Sequence, residues 1–323
     1  MKLLVTGGAG YIGSVVSEAV LEAGNEVIVL DNLGQGHRQA VPKGTRFIQV
    51  DLADREALDQ FFRQDRVDGV LHLAALTLVE ESVQDPVRYF QANVTNSLNL
   101  LQAMERHGVD KLVFASSAAV YKPGGSPFRE EAATGSDNPY GESKLLLEMV
   151  LPWCAPRGLK YAVLRFFNVA GATPERGEDH QPETHLIPRV LRVALGQEEK
   201  VHIYGSDYPT RDGTAVRDYI HVRDLARAHL LALASLEKNP GQTYNLGNGR
   251  GFSVKEVVDV ARRVSGRPIP AQEAPRRPGD PPELVASAQK AQKLLGWKTQ
   301  YPDLEAIIAS AWEWMRRHPR GYD

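Results

Sequence analysis

The chain has 323 residues, of which 42% are hydrophobic and 24% charged, as in ordinary globular proteins of one large or two small domains. Lys and Arg total 38 against 40 for Asp and Glu, so the net charge of -2 argues against a nucleic-acid-binding protein. The single cysteine, Cys154, excludes an intrachain disulfide and a cysteine-cluster zinc site, and no metal site is predicted. We expect a cytoplasmic protein that does not bind membranes, because the sequence shows neither a signal peptide nor a transmembrane run.

The first half of the chain alternates apolar strands with amphipathic helices. The predicted strands are Lys2–Thr6, Glu26–Asp31, Arg46–Asp51, Gly69–Ala74, Lys111–Ser116 and Lys160–Phe167. The predicted helices between them are Tyr11–Ala23, Glu56–Arg63, Val87–His107 and Tyr140–Trp153. Strands that alternate with helices form a parallel sheet covered on both faces, so we predict an α/β fold built on a doubly wound Rossmann sheet.

The regular alternation ends after Phe167. Two segments rich in glycine and polar residues are predicted to be long loops, which are often functional: Gly171–Thr184 and Gly205–Val216. The remaining predicted elements are a helix, a strand, a second helix and a seventh strand of the sheet: Leu186–Leu195, Val201–Tyr204, His221–Leu236 and Thr243–Leu246. We assign residues 1–170 and about 214–247 to the sheet domain. Residues 171–213 and 248–323, with the proline-rich Ala274–Pro282, form a smaller C-terminal α/β lobe.

A glycine-rich turn lies between the first strand and the first helix, with the sequence Gly7-Gly8-Ala9-Gly10-Tyr11-Ile12-Gly13. Gly7 permits a tight turn, Gly10 lets the backbone approach a pyrophosphate, and Gly13 allows close packing of the helix. The N-terminus of the helix then offers amide donors and positive potential to the phosphates. Such a turn by itself is weak evidence for a nucleotide site.

Asp31 supports a dinucleotide site and indicates which dinucleotide binds there. It ends the second strand, close to the spacing of about 20 residues expected for an acid that binds the adenosine ribose hydroxyls. A carboxylate at this point repels a 2′-phosphate, so we predict NAD rather than NADP. Asp51, at the end of the third strand, has the equivalent position for contacting the adenine.

A catalytic group is predicted from Tyr140 and Lys144, which are four positions apart and therefore share one face of a helix. Ser117 follows the fifth strand, beside the expected nicotinamide. Tyrosine is a weak base at its usual pKa of about 10. A nearby ammonium group lowers that pKa, so Tyr140 can remove a hydroxyl proton while Ser117 orients the reacting oxygen.

These motifs resemble the extended short-chain dehydrogenase/reductases. Four further segments narrow the resemblance to the UDP-glucose 4-epimerases, also called UDP-galactose 4-epimerases: Asp31-Asn32-Leu33, Asn138–Lys144, Leu164–Asn168 and Thr214–Val222. The similarity extends from Lys2 to Tyr322. It implies a homodimer in which the helices Val87–His107 and Tyr140–Trp153 form a four-helix bundle, and an NAD that is not released between turnovers.

The resemblance also implies the binding residues. NAD would contact Gly7, Gly10, Tyr11, Ile12, Gly13, Asp31, Asn32, Asp51, Leu52, Leu73, Ala74, Ala75, Asn93, Ser117, Tyr140, Lys144 and Phe167. The UDP-sugar would contact Ser117, Tyr140, Asn168, His185, Leu186, His202, Ile203, Tyr204, Arg217, Arg277 and Asp280. Arg217 and Arg277 have the chemistry to clamp a pyrophosphate, and Asp280 to accept from a ribose hydroxyl. The sheet domain is thus expected to bind NAD and the C-terminal lobe to bind the UDP-sugar.

Four positions depart from the better-known family members. Thr77 replaces a lysine, His185 stands where an asparagine is common, and Val169 where a proline is common. These three do not touch the core chemistry. Leu284 occupies the position that gates sugar size in the family, so we expect turnover of N-acetylated sugars as well as plain hexoses.

The expected reaction is the interconversion of UDP-glucose and UDP-galactose by oxidation at C4, rotation of the 4-keto sugar and re-reduction. A 4,6-dehydratase of the same fold needs an acid and a base after the active-site hydroxyl, but here Ala118-Ala119-Val120 follow Ser117. A UDP-pentose or UDP-uronate 4-epimerase remains an alternative. So does a non-catalytic NAD-binding protein, although such proteins tend to lose the tyrosine or the lysine.

Overall fold

The computed structural model describes residues 1–277 and 279–323, so that Pro278 of the predicted proline-rich segment Ala274–Pro282 lies outside the described residues. The strands are β1 (Lys2–Thr6), β2 (Glu26–Asp31), β3 (Arg46–Gln49), β4 (Gly69–His72), β5 (Lys111–Ser117), β6 (Lys160–Phe166), β7 (Asn168–Ala170), β8 (Val201–Tyr204), β9 (Val216–His221), β10 (Gln242–Leu246), β11 (Gly251–Ser253), β12 (Ala271–Ala274) and β13 (Glu283–Leu284). The helices are α1 (Tyr11–Glu22), α2 (Arg55–Gln64), α3 (Val79–Gln84), α4 (Pro86–Phe90), α5 (Asn96–Arg106), α6 (Pro139–Cys154), α7 (Leu186–Ala194), α8 (Val222–Ser235), α9 (Val254–Ser265), α10 (Gln289–Leu295) and α11 (Leu304–Arg317). A π-helical turn, Gln91–Thr95, joins α4 to α5.

The main sheet has seven strands in the order β10-β6-β5-β4-β1-β2-β3, and every neighbouring pair is parallel. The strand order reverses between β1 and β4. In open parallel sheets, ligands bind in the crevice at the carboxyl ends of the strands on either side of that reversal. The predicted Rossmann fold is therefore confirmed, including its seventh strand.

Helices cover both faces of this sheet, as a parallel sheet requires. On one face α1 and α8 pack over the strands, with Val16 and Leu225 fully buried. On the other face lie α2, α5 and α6, with Phe61, Leu100 and Leu147 in the core. Among the helices of residues 1–277 and 279–323, none combines the length and the apolar run that a membrane crossing requires.

The remaining strands form two small sheets. Strand β9 lies between β11 and β13 and also pairs with β7, whereas β8 pairs with β12. Helices α7, α9 and α11 share a core with these strands, in which Val190, Val257 and Ile307 are fully buried. Helix α9 begins at a capping box, in which the side chains of Ser253 and Glu256 each accept a backbone hydrogen bond from the other residue.

Strands β7 and β9 belong to the second sheet and not to the main one. Residues 168–170 and the segment from about 214 were assigned to the same domain as the main sheet. Strand β9 carries Arg217 and the fully buried Asp218, so it lacks the apolar pattern of a buried strand. Strands β7, β11, β12 and β13 have only two to four residues, too few to show a period. The division into two binding domains stays a prediction.

Candidate active site

A cavity of about 640 Å³ lies at the carboxyl ends of the main-sheet strands, within the range of about 300–1,000 Å³ typical of ligand pockets. Its lining brings together nearly all of the residues predicted to bind NAD. These are Gly7, Gly10, Tyr11, Ile12, Gly13, Asp31, Asn32, Asp51, Leu52, Leu73, Ala74, Ala75, Ser117, Tyr140, Lys144 and Phe167. Asn168, His185 and Leu284 line the same cavity, so residues predicted for the cofactor and for the sugar border one space.

The glycine turn leaves no room for side chains where the backbone meets the sheet. Gly7 has φ +71°, and a Cβ added there would lie 2.6 Å from the backbone nitrogen of Ala74. A Cβ on Gly13 would lie 2.0 Å from the carbonyl oxygen of Gly7. Gly10 caps α1 without a side-chain hydrogen bond, so the first amides of the helix face the cavity uncovered. The turn therefore fits a dinucleotide pyrophosphate.

Asp31 is held by the same turn. Its buried carboxylate accepts hydrogen bonds from the amides of Ala9 at 3.0 Å and Leu33 at 2.8 Å. Burial raises the pKa of Asp31, and these two hydrogen bonds oppose that rise. Each carboxylate oxygen keeps a second lone pair with which to accept from a ribose hydroxyl. Asn32 links the two acids of the site, since its Nδ2 donates to Oδ2 of Asp51 at 2.8 Å.

Helix α6 positions the predicted catalytic pair, Tyr140 and Lys144. Its N-cap, Asn138, accepts a hydrogen bond from the amide of Gly141 at 2.9 Å, and Pro139 occupies the first turn. Tyr140 and Lys144 follow one turn apart, and both are buried against β5. The ammonium group of Lys144 donates to the carbonyl oxygen of Ala115 at 3.0 Å, two residues before Ser117.

Burial acts on the two side chains in opposite directions. It raises the pKa of Tyr140, and the interaction with Ser117 counteracts part of this rise. Burial lowers the pKa of Lys144 to about 7, although the carboxylate of Glu148 opposes the change. A proton-carrying phenol thus lies near an amine that is only partly protonated at neutral pH, an arrangement suited to moving a proton to and from a substrate hydroxyl.

A buried polar network underlies this pair and was missed by the sequence analysis. The carboxylate of Glu148, one turn after Lys144, accepts from Nε of Arg165 at 3.0 Å and from the hydroxyl of Ser116. Arg165 also donates to the hydroxyl of Tyr121 at 3.0 Å. The signal was present in the sequence, because Tyr140, Lys144 and Glu148 are spaced by four residues on one helix face.

The comparisons with known proteins agree with this geometry. A family model described as the NAD dependent epimerase/dehydratase family matches residues 3–247. The chain belongs to this family. A UDP-glucose 4-epimerase of Halalkalibacterium halodurans is 53% identical over 328 residues, covering 100% of this chain and 98% of the relative.

Two solved structures extend the comparison. The UDP-glucose 4-epimerase of Brucella ovis in complex with NAD has a TM-score of 0.92 and 42% identity, covering 96% of this chain and 97% of that one. The enzyme of Stenotrophomonas maltophila, with bound NAD and formylated UDP-arabinopyranose, has a TM-score of 0.95 and 39% identity over 99% of both chains. The motif-based family resemblance is confirmed, and NAD is the cofactor of this epimerase/dehydratase family member.

Seven of the eleven residues predicted to bind the UDP-sugar form a second group outside the cavity lining. It consists of Leu186, His202, Ile203, Tyr204, Arg217, Arg277 and Asp280. The guanidinium of Arg217 forms a salt bridge with Asp280, and that of Arg277 lies 4.1 Å from the ring centroid of Tyr204. Arg217 is the register partner of Leu284, which does line the cavity, so this group adjoins it.

Asn93 does not line the cavity, although it was predicted to contact NAD. Its buried amide bonds both backbone groups of Leu76, at 2.8 and 2.9 Å, and donates to the hydroxyl of Ser143 at 2.9 Å. It therefore fixes the segment after β4 against α6. Thr77 and Val169, two of the departures from the family pattern, do line the cavity.

His185 lies among carboxylates that the sequence analysis did not single out. Its Nδ1 is 2.8 Å from Oε1 of Glu178 and 2.8 Å from Oε1 of Glu183. Burial lowers the pKa of His185, but the two carboxylates together raise it well above its usual value. Burial raises the pKa of Glu178, whereas His185 and His180 lower it, and the net value is about 2.

Proposed function

We propose that this protein is an isomerase that interconverts UDP-glucose and UDP-galactose by oxidation, sugar rotation and re-reduction at C4. The observation that carries the proposal is the single cavity shared by Tyr140, Lys144 and Ser117 with the glycine turn and Asp31. Proton transfer and a redox cofactor therefore act on the same carbon of one substrate. The Halalkalibacterium halodurans relative, with which the chain aligns over its whole length, is a UDP-glucose 4-epimerase.

The chain's own groups have distinct roles in this reaction. Tyr140 takes the proton of the C4 hydroxyl and later returns it, and Ser117 hydrogen-bonds the reacting oxygen. Lys144 supplies the positive charge that stabilises the phenolate. NAD, when bound, supplies the oxidising and reducing equivalents at C4.

Epimerisation requires a sugar that turns over while its nucleotide stays bound. Arg217 and Arg277 hold the pyrophosphate, and the hexose faces apolar or small residues such as Leu284 and Phe167. After Ser117 the cavity is lined by Ala118 and Ala119, which can neither donate nor accept a proton. The site therefore supports C4 epimerisation rather than elimination of water.

The test is incubation of purified protein with UDP-galactose, without added nucleotide cofactor, followed by chromatographic detection of UDP-glucose. Formation of UDP-glucose to an equilibrium mixture supports the proposal. Absence of conversion by folded protein that contains NAD would contradict it and would favour a non-catalytic NAD-binding protein.

A UDP-pentose substrate is the second candidate. The Stenotrophomonas maltophila neighbour holds a formylated UDP-arabinopyranose, so a cavity of this shape accepts a six-membered pentose ring. The same assay with UDP-arabinopyranose and UDP-galactose in parallel decides between them. We expect the higher kcat/KM for UDP-galactose, and the reverse order would assign the pentose.

We also propose that the protein is a homodimer formed by the helices around α6. Large hydrophobic side chains are exposed on this side: Val79, Val83, Val87, Met149 and Trp153. Trp153 is 82% exposed, which is unusual for its size. Helices α3, α4 and α6, which carry these side chains, pack against one another. Exposed apolar side chains on neighbouring helices indicate a protein interface.

The dimer can be tested by light scattering after gel filtration. The wild type should elute with twice the mass of one chain, whereas Trp153→Glu combined with Met149→Glu should give monomers. A monomeric wild type would exclude the bundle. A cytoplasmic location stays a prediction.

A further inference from the structure

Four possible metal ligands come together between β7 and α7, at the wall of the cavity. They are Glu178, His180, Glu183 and His185, and one donor atom of each lies within 4.8 Å of the others. All four belong to eight consecutive residues of a loop that ends at α7, whose N-cap is His185. The sequence analysis considered cysteine clusters only, and this loop has no regular period that would reveal the group.

The spacing of the donor atoms is close to that of a metal site. Nδ1 of His185 lies 2.8 Å from an oxygen of Glu178 and 2.8 Å from one of Glu183, and Nδ1 of His180 lies 3.1 Å from the same oxygen of Glu178. Tetrahedral zinc, with bonds of about 2.0–2.2 Å, separates its ligand atoms by about 3.3–3.6 Å. Small side-chain rotations therefore suffice to surround an ion.

A second observation points to a cation at this position. The side chain of Glu183 is only 1% exposed, and its Oε2 has no hydrogen-bond partner among residues 1–277 and 279–323. Leaving a buried carboxylate oxygen without a partner is unfavourable. Because the other oxygen of the same carboxylate contacts His185, a cation bound by the cluster lies within reach of both oxygens.

We propose that Glu178, His180, Glu183 and His185 bind one divalent transition-metal ion, such as Zn²⁺. Two imidazoles and two carboxylates suit zinc and its neighbours better than Ca²⁺ or Mg²⁺, which prefer all-oxygen sites. Four protein ligands close the coordination sphere, so the ion has a structural role and does not enter the epimerase chemistry.

The position of the cluster indicates what the ion stabilises. The ring of His180 meets the ring of Tyr11 edge-on, with centroids 6.5 Å apart. The hydroxyl of Tyr11 donates to the carbonyl oxygen of Gly171, at the start of the same loop, at 2.5 Å. An ion at the cluster ties the end of the loop to the first helix of the NAD site, and thereby fixes one wall of the cavity.

The site can be tested by calorimetric titration of the chelator-treated full-length protein with ZnCl₂. A Cys154→Ser background removes the only thiol, which would bind zinc adventitiously. We expect saturation at one ion per chain, and Glu183→Gln or His180→Gln should weaken binding by at least about tenfold. The matched control is His107→Gln, because Nε2 of His107 also lies 2.8 Å from a carboxylate oxygen, that of Asp59. In the part of the chain that the structure describes, no second histidine joins that pair.

Two results of the zinc titration would contradict the proposed metal site. No saturable binding at about 10 μM Zn²⁺ would overturn it, since structural zinc sites bind far more tightly, and would leave an ion-paired cluster only. Binding unchanged by both substitutions would place the ion elsewhere. If the variants fail to fold, Co²⁺ added to the Cys154→Ser protein decides: strong visible bands of four-coordinate Co²⁺ support the site, and the weak six-coordinate spectrum contradicts it.

Discussion

The cofactor side and the substrate side of the cavity are built differently. On the cofactor side, most of the residues predicted to bind NAD lie at or just after the ends of strands of the seven-stranded sheet. The core residues Leu3, Val5 and Val113 of that sheet are fully buried. On the substrate side, the candidate groups come from short strands and from loops, and side-chain contacts such as that of Arg217 with Asp280 hold them. The backbone of the sheet fixes the cofactor side. Contacts between side chains, which single substitutions can change, fix the substrate side.

We expect the cofactor side to determine catalysis and the substrate side to determine which sugars are accepted. The cofactor and the proton-transferring residues need positions fixed to a fraction of an ångström, which the parallel sheet supplies. The sugar needs room to turn, and loosely built walls allow it. Substitutions on the cofactor side should therefore abolish activity or folding, whereas substitutions on the substrate side should change the preference among sugars.

Replacing the phenol should have the largest effect. Tyr140→Phe removes the phenol oxygen that takes the proton of the C4 hydroxyl, so kcat should fall by at least about 10²-fold with folding intact. The control is Tyr161→Phe, in the core of the main sheet, which should leave kcat nearly unchanged. Near wild-type turnover of Tyr140→Phe would remove this residue from the mechanism.

The positive charge beside the phenol should show in the pH profile. Tyr140 acts as the phenolate, so activity rises with pH through the pKa of Tyr140, and loss of the cation must move this limb to higher pH. In Lys144→Met we expect an upward shift of about one pH unit or more, together with a lower kcat at neutral pH. The pKa of Lys144 is about 7 while Tyr140 keeps its proton. The phenolate favours the ammonium form, so the two groups titrate as a pair and loss of the lysine should displace the whole rising limb.

The matched control for this prediction is Lys160→Met. Lys160 forms a surface ion pair with Glu237, far from the cavity. Its replacement should leave the profile in place. An unchanged profile in Lys144→Met as well would show that the phenol of Tyr140 is not the titrating group.

A substitution in the glycine turn tests directly whether the backbone fixes the cofactor side. Gly13→Ala places a Cβ 2.0 Å from the carbonyl oxygen of Gly7, so the helix or the turn must move. We expect a loss of about 1–3 kcal/mol in the free energy of unfolding, measured by urea denaturation, and less NAD in the purified protein. Gly125→Ala is the control, since no atom of the described residues beyond its two chain neighbours lies within 4 Å of its Cβ position. Equal stability and equal NAD content of the two variants would contradict the close approach of Gly13 to the carbonyl oxygen of Gly7.

The same contrast explains what the sequence could predict. The strands of the main sheet, the glycine turn, Asp31 and the pair of Tyr140 with Lys144 were predicted because each depends on a local pattern or a fixed spacing. Strand β9 was not predicted, because it buries the charged Asp218. The contacts of Glu178, Glu183 and His185 were missed because they depend on how an aperiodic loop folds.

The substrate side should give the smallest effect. Leu284 lines the cavity and packs against an apolar cluster that includes Phe128 and Phe167. It occupies the position that gates sugar size in the resembled family. We expect wild type to epimerise both UDP-galactose and UDP-N-acetylgalactosamine, with kcat/KM values within about three decades. Leu284→Tyr should suppress the acetylated sugar alone. If it changes nothing and wild type ignores that sugar, Leu284 does not set the size limit.

The central claim is that one cavity oxidises and reduces the same carbon, and an isotope at that carbon tests it most directly. UDP-galactose carrying deuterium at C4 should yield UDP-glucose in which the deuterium remains at C4, as measured by mass spectrometry and NMR in ordinary water. Retention is predicted because the hydride leaves and returns within the closed site, while only the hydroxyl proton passes through Tyr140. Loss of the deuterium to solvent would contradict the account.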